Sequence, residues 1–141
     1  MKTPLETQRM LADYVEQKQS ELLEISRNLI QLPSENMPPN GSEKACQDWI
    51  AKRLTACGLQ PDIYELGEIE GLEQHPLYQP DRNYQGRPNV AARRKGAANG
   101  RSLLLSGHID TVPRGTQEWT RDAFGGEIDG NRLYGRGSND M

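Results

Sequence analysis

The sequence has 141 residues, with 17 basic and 20 acidic side chains and a net charge of −3. The balanced charge excludes a disordered chain of high net charge, and the slight acidity gives no electrostatic attraction to nucleic acid. Its hydrophobic fraction, 34%, is low for a globular domain. The composition therefore predicts a thin core, belonging either to a small domain or to part of a larger one.

Nothing in the sequence predicts contact with a membrane or export from the cell. No stretch approaches the length of a membrane-spanning helix, and the N-terminus lacks the apolar segment of a signal peptide. Cys46 and Cys57 fall on one predicted helix, about 16 Å apart along its axis, which is too far for a disulfide. Reduced cysteines without an export signal predict a cytoplasmic protein.

The first part of the chain predicts two helices. The first covers residues 5–31 and ends before Pro33, because proline disfavours helical geometry in the residue that precedes it. The second has Ser42 as its expected N-cap and ends at Gly58. Apolar residues at helical spacing carry both predictions. They are Leu11, Tyr14, Val15, Leu22, Ile25 and Leu29 in the first helix, and Cys46, Trp49, Ile50, Leu54 and Cys57 in the second.

After Gly58 the pattern changes to that of strands. Residues 60–66 predict a strand near the edge of a sheet, because Pro61 cannot donate to a central ladder. Residues 89–94 predict a short strand, and the segment 67–88 between the two is predicted as a long irregular loop.

A central strand and a hairpin are predicted in the last third. Residues 102–106, Ser-Leu-Leu-Leu-Ser, show no polar alternation, which is typical of a strand buried on both faces of an α/β sheet. The step from Asp129 to Gly130 predicts a β-hairpin that joins residues 126–128 to residues 132–134.

His108 and Asp110 directly follow the predicted central strand, where ligand-binding and catalytic groups of open α/β sheets gather. Residues two apart in extended backbone point to the same side. Asp110 can therefore accept a hydrogen bond from one ring nitrogen of His108 while the other nitrogen faces outward, as in a metal-bound histidine. The pair is equally compatible with a histidine that is merely hydrogen-bonded at a strand end, and the residues alone leave both interpretations open.

Asp140 follows Gly135 and Gly137, which allow its carboxylate to come close to other backbone without obstruction by side chains. Taken alone, the motif also suits a solvated acid on a surface loop. It lacks the third glycine of a dinucleotide-binding loop and the Lys-Ser/Thr of a P-loop. Ser138 has no glycine two residues later, which excludes a nucleophile elbow.

Together, SGHIDTVP at residues 106–113 and GEIDGNRLYGRGSNDM at residues 126–141 closely resemble a family of co-catalytic zinc hydrolases. That family includes aminoacylases, acetylornithine deacetylases, succinyl-diaminopimelate desuccinylases and carboxypeptidase G. The resemblance extends upstream through residues 32–34 and 87–90, and it covers most of the chain. It implies an α/β fold in which residues 1–141 are the N-terminal portion of a three-layer zinc-peptidase catalytic domain. By the same resemblance, the family's lid or dimerisation domain and its C-terminal catalytic half are expected to be absent from this chain.

The resemblance also implies roles for individual residues. His108 would be a ligand of one zinc ion, and Asp110 the acid in the catalytic site that orients it. Asp140 would be the carboxylate that bridges two zinc ions, for which cobalt is a possible substitute, with a cis peptide to Met141. The sequence departs from the family at Ala123, where a proline is usual, but this position lies in the spacer between the ligands.

The activity implied is hydrolysis of an amide bond in a small N-acylated amino acid or peptide, by a deacylase or peptidase that is a homodimer when complete. The family's general base and remaining ligands follow the bridging acid and cannot be assigned in this sequence. The chain as given is therefore expected to be an N-terminal fragment that holds zinc weakly and is inactive alone. The alternative is a non-catalytic remnant, or a subunit completed by a partner chain. A single-metal or metal-free α/β domain would require both motif matches to be accidental.

Overall fold

The structure is a computed structural model, and it describes residues 3–96 and 100–140. The described part of the chain combines three α-helices with short antiparallel strands, so the predicted α/β class is confirmed. The helices are α1 (Pro4–Gln17), α2 (Gln19–Ile30) and α3 (Lys44–Ala56). The strands are β1 (Asn36–Met37), β2 (Asn40–Gly41), β3 (Pro61–Glu65), β4 (Pro88–Ala92), β5 (Glu127–Asp129) and β6 (Arg132–Tyr134).

The single N-terminal helix predicted for residues 5–31 is wrong, because the structure divides it at Lys18 into α1 and α2. Lys18 has φ −98° and ψ 5°, which lies outside regular helical geometry. The start of α1 is fixed by a capping box, in which Glu6 N–H donates to Thr3 Oγ1 and Thr3 N–H donates to the Glu6 carboxylate. The end of α2 at Ile30 agrees with the predicted stop before Pro33.

Helix α3 begins later than predicted. Its N-cap is Glu43 rather than Ser42, whose hydroxyl instead lies 3.4 Å from the carbonyl oxygens of Pro33 and Glu35. Cys46 is fully buried, as expected for the apolar face of the helix. Cys57 is exposed, so its assignment to that face is wrong, because it lies past the last helical turn as the C-cap.

Helix α3 packs against the antiparallel pair of β3 and β4. Pro61 pairs with Ala92 at one end of this sheet, and Glu65 pairs with Pro88 at the other. Both strands were predicted within two residues of their observed bounds. The connection between them is the expected long loop, interrupted by the short 3₁₀ turns Leu66–Glu68 and Leu72–Gln74.

The predicted central strand over residues 102–106 is wrong in this structure. Leu103, Leu104 and Leu105 are 82–87% exposed, and no strand is assigned to them. Among the described residues, no neighbouring strand offers this run a ladder partner or covers either of its faces. The β5–β6 hairpin is confirmed, with Gly130 at φ 56° in its turn.

The core is thin, as the composition predicts. The buried apolar residues within the described ranges are Ile30, Cys46, Ala51 and Ala123. They belong to α2, to α3 and to the segment that leads to the β5–β6 hairpin. None of the described helices is both long enough and apolar enough to cross a membrane.

Candidate metal centre

The segment that carries His108 and Asp110 is fastened to the loop after α2. Thr111 N–H donates to the Ser34 carbonyl at 3.0 Å, and Asn36 N–H donates to the Thr111 carbonyl at 2.8 Å. The buried Ser34 hydroxyl also donates to the Ile109 carbonyl at 2.6 Å. This short parallel contact fixes the backbone on both sides of Asp110 although the preceding leucines are unpaired.

Asp110 contacts one ring nitrogen of His108, as predicted. The His108 Nδ1 atom lies 3.1 Å from Asp110 Oδ1 and 3.1 Å from the Asp110 carbonyl oxygen. Both neighbours are acceptors, so Nδ1 carries the proton and the Nε2 lone pair faces away from Asp110. This tautomer is the one that a metal-ligating histidine needs when it binds through Nε2.

The glycine-rich loop brings Asp140 to the free side of the imidazole. Asp140 Oδ1 lies 3.7 Å from His108 Nε2, and the Asp140 side chain is 90% exposed. Gly137 adopts φ 82° against Thr111, where a Cβ would lie 2.7 Å from Thr111 Cγ2. The glycine thus lets the loop pass close to the Thr111 side chain, and the Asp140 carboxylate lies beside the imidazole. The expected cis peptide after Asp140 involves Met141 and lies outside the described residues.

The donor pair fits two positions of a zinc site. Two ligands of a tetrahedral zinc ion, each about 2.1 Å from the metal, lie about 3.4 Å apart. The observed separation of 3.7 Å between His108 Nε2 and Asp140 Oδ1 is within a few tenths of an ångström of this value. A complete site takes three or four protein ligands, and the described part of the chain contains no group of three His, Cys, Asp or Glu positioned to hold a metal.

Asp110 is also held from its other side, by residues that the sequence reasoning missed. Asn36 Nδ2 donates to Asp110 Oδ2 at 2.8 Å. Arg82 Nη1 donates to Asn36 Oδ1 at 2.7 Å, and Arg82 Nε donates to Gln79 Oε1 at 2.9 Å. Asn36 lies between the two predicted helices and Arg82 lies in the predicted loop 67–88, 46 residues away, so no local pattern pairs them.

The imidazole opens onto a cleft of about 370 Å³ that contains a buried ion pair. Arg87 Nε donates to Glu43 Oε2 at 2.9 Å, and the two side chains are only 16% and 8% exposed. Hydrogen bonding to Glu43 raises the pKa of Arg87 above its ordinary value. The pair joins the start of α3 to the residue before β4. Its two members are 44 residues apart, so no local sequence pattern pairs them.

Comparison with known proteins identifies the family. Residues 104–141 match the model of peptidase family M20/M25/M40. The match contains His108, Asp110 and Asp140 in one continuous stretch. Several curated relatives extend the similarity upstream to most of the chain.

This chain belongs to peptidase family M20/M25/M40. A succinyl-diaminopimelate desuccinylase of Polynucleobacter necessarius is 39% identical over 103 residues, which cover 71% of this chain and 23% of that protein. The desuccinylase of Xanthomonas euvesicatoria is 36% identical over 123 residues, 86% of this chain and 26% of the relative. That of Cereibacter sphaeroides is 53% identical over 64 residues, 43% of this chain and 16% of the relative.

The chain thus spans about a quarter of the length of the M20/M25/M40 relatives that it matches over most of its own residues. The resemblance seen in the sequence is confirmed at the level of the family, whose name and whose relatives' names describe hydrolases. The roles of His108, Asp110 and Asp140 stay predictions, supported by the geometry described above.

Proposed function

We propose that this chain supplies the first part of the metal centre of a zinc-dependent amide hydrolase that removes the acyl group from an N-acylated amino acid. One observation carries the proposal. His108 Nε2 faces the Asp140 carboxylate at 3.7 Å while Nδ1 is held by Asp110. A histidine that is only hydrogen-bonded at a strand end needs no second carboxylate beside its other ring nitrogen, and Asp140 is otherwise exposed.

In this proposal His108 Nε2 and the Asp140 carboxylate would hold zinc, and Asp140 would have the shared-ligand role that the family resemblance implies. Zinc bound in such a centre polarises an amide carbonyl and lowers the pKa of a coordinated water. Asp110 keeps the proton on Nδ1, which leaves the Nε2 lone pair free to ligate. The backbone bonds from Ser34 and Asn36 to Thr111 hold this arrangement in position.

The substrate class is proposed from the relatives and from the charge of the cleft. The relatives described above are named succinyl-diaminopimelate desuccinylases, and a succinyl group carries a free carboxylate. Arg82 and Arg87 line the cleft beside His108 together with Glu43 and Asp110, and among the described residues only Arg87 of the two arginines is ion-paired, to Glu43. A guanidinium in this place suits a carboxylated substrate. N-succinylated amino acids are therefore our first choice within the wider class of N-acylated amino acids and peptides.

We further propose that the 141-residue chain alone does not hydrolyse such substrates, since two ligands cannot complete a zinc site. The test compares this chain with the native protein, captured from its own cells with an antibody against residues 1–66. The captured protein is expected to hydrolyse an N-succinylated amino acid with added zinc, and the His108→Ala form is expected to be inactive. Zinc-dependent hydrolysis by the isolated chain, lost in His108→Ala, would refute the proposal of inactivity. A captured protein without amide hydrolase activity would refute the proposed function.

The exposed leucines favour a second candidate, a subunit that is completed by another chain. Leu103, Leu104 and Leu105 form a contiguous apolar run of the kind that folded proteins normally cover. Analytical ultracentrifugation of the purified chain separates the candidates. A folded monomer argues against a required partner, whereas aggregation relieved by a co-purifying second chain favours one. The homodimer expected for the complete protein and its domain organisation stay predictions.

A further inference from the structure

The Asp110 carboxylate sits between two donors and depends on both for its orientation. Its Oδ1 faces His108 Nδ1 at 3.1 Å, and its Oδ2 accepts from Asn36 Nδ2 at 2.8 Å. The Asp110 side chain is 37% exposed, so water competes for both oxygens. Without Asn36, the carboxylate would be free to rotate toward solvent and leave the His108 ring without a fixed partner.

The orientation of the Asn36 amide is set in turn by Arg82. A guanidinium has donors and no acceptor, so the atom that faces Arg82 Nη1 at 2.7 Å must be the amide oxygen of Asn36. The NH₂ group of Asn36 is then directed at Asp110. Gln79 fixes Arg82 by accepting from its Nε at 2.9 Å. The hydrogen bonds from Gln79 through Arg82 and Asn36 to Asp110 each allow one arrangement of donor and acceptor. They therefore fix the Asp110 carboxylate that contacts the His108 imidazole.

We infer that Asn36 and Arg82 are positioning residues that set the tautomer of His108 through Asp110. The inference rests on the proposed metal site, since the Nδ1–H tautomer leaves Nε2 free to ligate. Partners beyond the ligand itself affect metal sites strongly, and their loss typically weakens metal binding 10- to 100-fold. Asn36, the first residue of β1, contacts Asp110 directly, and Arg82, in the loop before β4, acts through Asn36.

The chain contains its own internal reference. It has two histidines, and the other, His75, accepts a hydrogen bond at Nδ1 from Leu77 N–H at 3.2 Å. His75 is therefore expected to carry its proton on Nε2, the opposite tautomer to His108. Protonated and unprotonated ring nitrogens have well-separated ¹⁵N resonances, so one spectrum of the labelled chain reports both tautomers.

The test is a long-range ¹H–¹⁵N spectrum of the 141-residue chain, recorded at a pH high enough for the ¹⁵N shifts to show both rings neutral. The native chain is expected to show His108 protonated on Nδ1 and His75 on Nε2. Asn36→Ala removes one hydrogen bond from Asp110, and the His108 tautomer ratio is expected to shift about fivefold toward Nε2–H. The Asn36 backbone bond to Thr111 does not involve the side chain and is retained in this variant.

Two further variants keep the test decisive. Arg82→Met is expected to shift the ratio in the same direction by a smaller factor, and it leaves Asn36 in place should Asn36→Ala fold poorly. Asn83→Ala is the matched control, because Asn83 donates to Asn40 at 3.0 Å rather than to Asp110. Asn83→Ala is expected to leave the tautomer ratio of His108 unchanged, and the His75 signals are expected to be the same in all variants.

An Nε2–H tautomer of His108 in the native chain would overturn the inference. A change of the His108 tautomer ratio in Asn36→Ala that is no larger than the change in Asn83→Ala would also overturn it. The measurement needs neither metal nor turnover, so its failure would not refute the proposed hydrolase. Conversely, a protein without hydrolase activity could still show the predicted tautomer.

Discussion

The ion pair between Arg87 and Glu43 allows a quantitative test of what holds the cleft together. Arg87→Met would leave the Glu43 carboxylate, 8% exposed, without its charged partner at the start of α3. Breaking one side of a buried pair costs about 3–5 kcal/mol, because the remaining charge is poorly hydrated. Replacing both residues, as in Glu43→Leu combined with Arg87→Met, leaves no buried charge and is expected to cost less than Arg87→Met alone.

The assay is equilibrium unfolding in urea, followed by circular dichroism of the 141-residue chain. Arg53→Met is the control, since Arg53 pairs with Glu21 at 3.1 Å on the surface and both side chains are more than 40% exposed. An exposed pair of this kind contributes no more than about 1 kcal/mol. Two results would refute the reasoning from burial. One is a loss of unfolding free energy in Arg87→Met no larger than that in Arg53→Met. The other is a loss in the double variant equal to the sum of the losses in Glu43→Leu and Arg87→Met.

The remaining predictions concern the two cysteines and the loop that carries Asp140. Burial raises the pKa of the Cys46 thiol, so at neutral pH a thiol reagent is expected to modify Cys57 rapidly and Cys46 only on unfolding. The same shift makes the free energy of unfolding fall as the pH rises above the ordinary thiol pKa, because the unfolded chain then binds fewer protons at Cys46 than the folded chain. Comparable labelling rates would contradict the burial of Cys46. Gly135→Ala places a Cβ against Ile30 and is expected to cost about 1–3 kcal/mol in urea unfolding. Gly67→Ala, where a Cβ would meet no described atom within 4 Å, is expected to change stability by at most about 1 kcal/mol, and equal effects would refute the packing argument.

The sequence predicted those parts of the structure that depend on neighbouring residues. The stop of α2, the β5–β6 hairpin and the contact between His108 and Asp110 all follow from residues a few positions apart. The leucines at 103–105 predict burial because the run is apolar, but burial also requires other residues to cover it. Among the described residues nothing does, so these leucines are exposed and form no strand.

The supports of the site could not be predicted for a different reason. Glu43 and Arg87 are 44 residues apart, and Asn36 and Arg82 are 46 apart. Each is a common polar residue in a loop or at a helix start, where a solvated side chain is the ordinary expectation. Only the folded chain brings them to one cleft beside His108. Asp140 is also distant from His108 in the sequence, and before the structure only the family resemblance related the two residues.

The central claim is that His108 and Asp140 form a metal site. It is tested most directly by a cobalt titration of the 141-residue chain, followed by the imidazole C–H signals in ¹H NMR. If His108 and Asp140 are two ligands of one metal ion, paramagnetic Co²⁺ is expected to broaden His108 at a concentration about tenfold lower than it broadens His75. Asp140→Asn is expected to remove most of that difference. Broadening of both histidines at the same concentration, or an unchanged difference in Asp140→Asn, would contradict the assignment of this pair as a metal site.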